Sequence, residues 1–203
     1  REYRLDIPMF DQEASYGAIL TLRDTNGDGT ADLVKEFGPR TVTTEVVIYD
    51  GWLYFGTDLA VYRIELDDQL VPAGVAEPIA GGFPMQRSHA DKTFALDNAG
   101  NIYVNSGVPT NACSEKIMAP RSPGLDPCPY LDRSGGIWRF PADKKYQDQL
   151  RDGEQYVTGI RNVLAMEWDQ QVDKPDFVVH GRDRLGWLWK DFYCRPDSAW
   201  QHA

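Results

Sequence analysis

His89 stands in the run Gln86-Arg87-Ser88-His89-Ala90-Asp91-Lys92, directly before the strand-like Thr93-Phe94-Ala95-Leu96. Imidazole changes charge near neutral pH, so a histidine at the entrance to a strand is placed to take a proton from a substrate hydroxyl. Taken alone, the same run also reads as a surface histidine in a charged loop. Gly159-Ile160-Arg161-Asn162 sets a guanidinium beside an amide. A planar fork next to an amide can grip an anionic, carbonyl-rich ligand, although a turn with a surface arginine has the same letters. His180-Gly181-Arg182-Asp183 closes a strand with glycine at the tip. Exposed carbonyls on such a turn can coordinate calcium, and an ordinary polar turn is the alternative.

Asp24-Thr25-Asn26-Gly27-Asp28-Gly29-Thr30-Ala31-Asp32 places oxygen-bearing side chains at Asp24, Asn26, Asp28 and Thr30, with glycine after the third carboxylate-or-amide position. That alternation can wrap oxygens around calcium in a structural role. The twelfth position is Lys35 where an EF-hand carries glutamate, so Asp32 would have to supply the last ligand. A solvated acidic turn between two strands is the competing reading. Cys113 and Cys128 stand fifteen positions apart in a loop rich in Pro, Ser and Gly. A disulfide across it is expected, worth about 3 kcal/mol from loop closure, and it implies an oxidising compartment. Two unpaired thiols in a cytosolic loop are the alternative. Cys194 has no evident partner in the sequence. No nucleophilic serine elbow, His-Glu-x-x-His or phosphate-cradling glycine loop occurs, which disfavours a nicotinamide-type dinucleotide fold.

These residues have to be positioned by β structure. The chain has 203 residues, 18 Gly, 13 Pro and 12% aromatic residues, a mixture of turn formers and strand formers. The expected strands lie at Trp52-Leu53-Tyr54-Phe55, Ala60-Val61-Tyr62-Arg63-Ile64, Ile102-Tyr103-Val104-Asn105 and Gly136-Ile137-Trp138-Arg139-Phe140. Further strands are expected at Val163-Leu164-Ala165-Met166-Glu167-Trp168 and Asp176-Phe177-Val178-Val179. Only Lys144 to Asp152 could hold a helical turn or two. Tyr54 and Tyr103 are 49 positions apart, and a period near 50 with several strands per unit is the signature of a β-propeller. At roughly 45 residues per blade the chain supplies three to four blades, a single partial propeller over residues 1–203. The chain starts at Arg1 with no signal-like apolar stretch and is expected to be a processed protein or a fragment. A formal net charge of -10 argues against nucleic-acid binding and adsorption to anionic lipid. No apolar run of about 18 residues is present to span a bilayer.

Several ordered motifs then coincide. His89-Ala90-Asp91-Lys92-Thr93-Phe94-Ala95-Leu96, Asn101-Ile102-Tyr103-Val104-Asn105-Ser106-Gly107 and Asn111-Ala112-Cys113 open the series. Ser122-Pro123-Gly124-Leu125-Asp126-Pro127-Cys128-Pro129, Gly136-Ile137-Trp138-Arg139-Phe140 and Asp152-Gly153-Glu154-Gln155-Tyr156 continue it. Gly159-Ile160-Arg161-Asn162 and His180-Gly181-Arg182-Asp183 end it, with Leu22-Arg23-Asp24-Thr25-Asn26-Gly27-Asp28-Gly29 near the start. Over most of its length the chain resembles the sorbosone dehydrogenase-like sugar dehydrogenases, quinoproteins related to soluble glucose dehydrogenase that use pyrroloquinoline quinone (PQQ). The resemblance implies a six-bladed β-propeller with the quinone at its mouth. It implies His89 as the general base on a sugar's anomeric hydroxyl, with hydride passing from the sugar carbon to the quinone. Arg161 and Asn162 resemble the pair that binds and polarises the quinone carbonyl, and the Gly181 and Arg182 carbonyls resemble the ligands of the calcium that also holds the cofactor. The cysteine loop would shape the substrate rim.

The sequence departs from the family at Ser88, where the glucose dehydrogenases carry Asp, so the tuning of the base or the substrate contacts differ. Thr43-Thr44-Glu45 stands where an early family glutamine is expected. The resemblance makes the chain roughly the first half of such an enzyme, with the basic residues for the quinone carboxylates in later blades. The implied function is oxidation of an aldose or related sugar, with electrons passed to a non-nicotinamide acceptor. A propeller without catalysis, serving as a calcium-stabilised extracellular binding module, is the alternative. A hydrolytic propeller such as a lactonase would need a carboxylate-rich metal centre in the channel. Acidity, the expected disulfide and calcium use agree with a periplasmic or secreted protein.

Overall fold

The computed structural model describes residues 19–37, 45–111, 113–116, 119 and 122–183. Thr43, Thr44, Ala112 and Cys194 lie outside the described residues. The described residues are all-β, in four sheets met in chain order. The first pairs β1 (Ile19–Arg23) with β2 (Leu33–Phe37). The second is an antiparallel meander of β3 (Val46–Tyr49), β4 (Trp52–Gly56), β5 (Val61–Leu66) and β6 (Pro72–Gly81). The third contains β7 (Phe94–Leu96), β8 (Asn101–Ser106) and β9 (Gly136–Pro141). Next in the chain is β10 (Gln147–Asp148), which adds in parallel to the outer edge of β6. The chain then returns through β11 (Glu154–Thr158) to complete the third sheet beside β9. The hairpin of β12 (Val163–Asp169) and β13 (Lys174–Val179) forms the fourth sheet.

The sheets stack face to face, because successive residues of one strand enter different cores. Tyr54 of β4 packs with Phe94, Ile102, Val104, Trp138 and Phe140 of the third sheet. Its neighbours Leu53 and Phe55 point the other way, toward Ile19 and Phe37 of the first. In the same manner Ala95, Tyr103 and Ile137 leave the third sheet on its far face and meet Val163, Met166 and Trp168 of β12. A strand alternates faces with period two, so inner strands between stacked sheets are apolar on both. Each wholly buried Phe or Ile side chain contributes about 1.5–3 kcal/mol, and these inter-sheet layers hold the sheets together. Tyr103 anchors the last interface by stacking on Trp168 with ring centroids 4.7 Å apart. Burial, together with the Asp97 carboxylate that its hydroxyl meets, pushes the Tyr103 phenol up to about 12.

The 49-residue repeat is structural. Tyr54 lies opposite Arg63 in the β4–β5 pair, and Tyr103 lies opposite Arg139 in the β8–β9 pair. The preceding turns match as well, with Gly51 and Gly100 at φ 77° and 82°. Only glycine takes that left-handed backbone at little cost. Residues 144–152, which could have held a helical turn, form turns around the short β10, where Gln147 donates from Nε2 to Pro141 O and Lys144 O. Two carbonyls of this corner thus bond a side-chain donor, and the N–H groups of Tyr146 and Gln149 bond Pro78 O and Gly81 O, which leaves a single helix-like bond from Asp152 N to Asp148 O. Among the described residues no helix is long and apolar enough to cross a membrane.

Candidate functional site

The third and fourth sheets converge at the loops where β7 and β12 begin. Thr93 beside β7 donates from Oγ1 to Val163 O at 2.7 Å, which pins the two strand starts together. His89 lies in the loop ahead of β7, half-buried, with a left-handed φ of 55°. Its Nδ1 sits 2.6 Å from Val108 O, just beyond β8. A carbonyl only accepts, so Nδ1 carries the proton and Nε2 keeps the lone pair. Burial lowers the His89 pKa below the usual histidine value. The Val108 bond opposes this, Arg161 and His180 add to it, and Asp183 counters them. A neutral imidazole with Nε2 as acceptor is the form a general base needs at neutral pH.

Arg161 and Asn162 are both buried immediately before β12. Arg161 donates from Nε to Asn111 O at 2.8 Å, and from Nη2 to Asn111 Oδ1 at 3.1 Å and Asp183 Oδ2 at 2.7 Å. The fork expected to face a ligand therefore spends one edge on the protein. Among the described residues nothing bonds Nη1. Asn111 also ties down the 180–183 turn: it accepts from Asp183 N at 2.9 Å and donates to Asp183 O at 3.2 Å. Asn162 accepts at Oδ1 from Asn105 Nδ2 at 3.1 Å, and its carbonyl accepts from His180 N at 2.9 Å. One path links base to arginine, since Val108 donates its N–H to Arg161 O at 2.8 Å while its own carbonyl holds His89.

Gly107 is the point of closest approach. A Cβ there would stand 2.5 Å from His89 Cβ and 2.5 Å from Asn162 Oδ1. Thus the structure brings together His89, Arg161, Asn162 and the turn carrying Gly181 and Arg182. Gly181 is exposed, with open space where a side chain would be. Burial lowers the Arg182 pKa. A buried guanidinium whose Nη1 bonds nothing among the described residues, a buried amide, and a turn with exposed Gly181 beside half-buried Arg182 fit an anionic, carbonyl-rich cofactor and a hard cation held by oxygens. Among the described residues no group of three or more His, Cys, Asp or Glu side chains is arranged around a metal position, so a cation here would rest on backbone carbonyls.

The Asp24 loop stands apart between β1 and β2. Asp24 accepts from the N–H groups of Gly27 and Gly29 at 2.7 Å each, and the Gly29 bond leads in lowering its pKa. Asn26 and Asp28 accept from Asp28 N and Thr30 N, and Asp32 accepts from Thr25 N and Oγ1. Its oxygens are engaged with its own backbone, as in an acidic turn. Cys113 and Cys128 are joined by a disulfide with Cα atoms 5.9 Å apart. Replacing both by alanine is expected to cost about 3 kcal/mol of unfolding free energy, checked by urea titration of the oxidised wild type beside the double variant.

Sequence reasoning assigned no role to Asn105, Gly107, Asn111, Asp183 or Lys92, although all lie within or beside its motifs. The partners of Asn105, Gly107, Asn111 and Asp183 are 14 to 72 residues away in the chain, which local patterning does not reveal. Lys92 is wholly buried. Its ammonium donates to Ala90 O and lies 5.4 Å from the Phe83 ring centroid. Burial pushes its pKa down to about 8, against the charges of Asp91 and Asp58.

No protein-family model matches the chain, and no curated protein matches it. Three solved structures share its fold. The holo form of the PQQ domain of pyranose dehydrogenase from Coprinopsis cinerea superposes with a TM-score of 0.60 at 13% identity, over 81% of this chain and 38% of that one. The iodide structure of the family AA12 carbohydrate-active enzyme from Trichoderma reesei gives a TM-score of 0.60 at 15% identity, over 89% of this chain and 46% of that one. The calcium structure of the Trichoderma reesei family AA12 enzyme gives 0.52 at 15% identity, over 81% and 42%. The chain spans less than half the length of each.

Proposed function

We propose that this protein is a PQQ-dependent oxidoreductase acting on an aldose or related sugar, built on a β-propeller of which the four stacked sheets are a sector. The observation that carries the reading is the convergence of His89, whose Nε2 bonds nothing among the described residues, on the buried Arg161–Asn162 pair across Gly107. The fold likeness to a PQQ domain and to a carbohydrate-active enzyme supports it, as does the sequence resemblance of the motifs to the sorbosone dehydrogenase-like sugar dehydrogenases.

In this reading His89 Nε2 accepts the hydroxyl proton of the sugar while Val108 O holds the ring through Nδ1–H. Arg161 and Asn162 bind the carbonyl edge of the cofactor, with Asn111, Asp183 and Asn105 keeping both groups in place. The carbonyls of Gly181 and Arg182 hold the calcium. When bound, PQQ supplies the hydride acceptor, and a non-nicotinamide partner takes the electrons onward. The disulfide supports a periplasmic or secreted location.

The test is a PQQ titration of the full-length protein with and without calcium, followed by quenching of Trp fluorescence. Saturable, calcium-dependent quenching is expected, together with PQQ-dependent oxidation of aldoses by an artificial acceptor. Absence of quenching in both arms overturns the reading.

A further inference from the structure

We propose that Gln86 is the positioning residue of the base: its carboxamide locks the loop that holds His89 in its left-handed conformation against the end of β8. The Gln86 Nε2 lies 2.9 Å from Ser88 O and from His89 O and 2.7 Å from Gly107 O, so its two N–H donors are shared among three carbonyls, one of them bifurcated. Its Oε1 lies 3.4 Å from Ser134 Oγ, ahead of β9, which steadies the amide from behind. Three carbonyl dipoles converge on one point, and they repel one another unless a donor sits between them.

The clamp matters because of where it acts. His89 has φ 55°, a conformation that a residue with a side chain keeps only when its surroundings impose it. Two of the three carbonyls, those of Ser88 and His89, flank this strained position, and the third belongs to Gly107, which packs on the His89 Cβ. Removal of the donor lets the carbonyls part and the backbone relax toward ordinary φ. The imidazole then swings away from Val108 O, and Nδ1 loses the acceptor that fixes the tautomer. Asn105 holds the same loop further along, donating to Asp91 O at 3.3 Å, but it does not reach residues 88 and 89.

This inference rests on the reading of His89 as the base, yet its test needs neither cofactor nor substrate. In 15N-histidine spectra at pH 8, with His89 assigned through His89→Gln, wild-type His89 is expected to be almost wholly the Nδ1–H tautomer. Gln86→Met, similar in length and without a donor, is expected to convert most of it to the Nε2–H tautomer favoured by free imidazole. Gln86→Lys, which still donates, is expected to retain the wild-type tautomer. A merely structural role would lower stability and leave the tautomer unchanged, and an unchanged tautomer in Gln86→Met overturns the proposal. Should that variant not fold, the wild type decides: the Gln86 carboxamide protons must exchange at least ~10-fold more slowly than those of exposed Gln171, and equal exchange overturns the clamp. Failure of the PQQ titration with a positive tautomer result removes the enzyme reading and leaves the clamp standing.

Discussion

His89→Gln is expected to lower kcat by about 10²–10⁴-fold while leaving PQQ binding in place, the usual contribution of a positioned acid–base group. Glutamine keeps the polarity and approximate size of the side chain but cannot accept and hold a proton. The pH dependence gives a second, independent reading. Burial, reinforced by Arg161 and His180, holds His89 below the usual histidine value. In the proposed role His89 is therefore competent on the alkaline side: kcat/KM should rise with pH through a midpoint below the ordinary histidine value and level off above it. Loss of activity on acidification follows from protonation of Nε2. In His89→Gln this limb should vanish. Steady-state kinetics from acid to neutral pH with an aldose and an artificial acceptor measure both effects. Wild-type kcat in the variant would remove His89 from the chemistry.

Gly107→Ala should have an effect of similar size without replacing an ionisable group. The added methyl would stand 2.5 Å from His89 Cβ, 2.5 Å from Asn162 Oδ1 and 2.9 Å from His89 O. One of these is backbone, and the buried Asn162 amide is held by Asn105, so none yields freely. His89 and the Asn162 amide must part, and a misplacement of about 1 Å can cost 10²-fold in rate. Overpacking of this kind costs about 1–3 kcal/mol in stability. Gly100→Ala is the control. Its Cβ meets nothing within 4 Å, and its φ of 82° makes the substitution strained all the same. It should lower stability by about 1 kcal/mol or more and leave kcat/KM unchanged. Thermal unfolding and kcat/KM measured side by side separate the two. Equal activity losses in both variants would mean that Gly107 acts through stability alone.

The elements legible in the chain are those written in short-range patterns. Trp52–Phe55 and Ile102–Asn105 follow glycine turns and carry strand-forming residues, and the structure places β4 and β8 there. Val61-Tyr62-Arg63-Ile64 and Ile137-Trp138-Arg139-Phe140 take equivalent register, with each arginine opposite its tyrosine. The parallel addition of β10 to β6 was not legible, because two residues carry no periodicity and their partners lie 67 positions earlier in the chain. The Lys144–Asp152 stretch had no strong helical pattern, and its pairing with β6 and the bonds to Pro78 O and Gly81 O decided its turns.

For the candidate site, residue type was informative and orientation was not. A histidine, an arginine–asparagine pair and a glycine turn at strand ends stood out because those groups can move a proton, bind carbonyl oxygens or expose backbone oxygens. The sequence by itself determined the all-β class, the 49-residue repeat and these chemical candidates, since each depends on residues adjacent in the chain or on local side-chain chemistry. Tertiary structure alone decided which His89 nitrogen carries the proton, which edge of Arg161 the protein consumes, and that Gly107 must lack a side chain. Each of these depends on distance between segments tens of residues apart, and such distances are set by the packing of one sheet on the next.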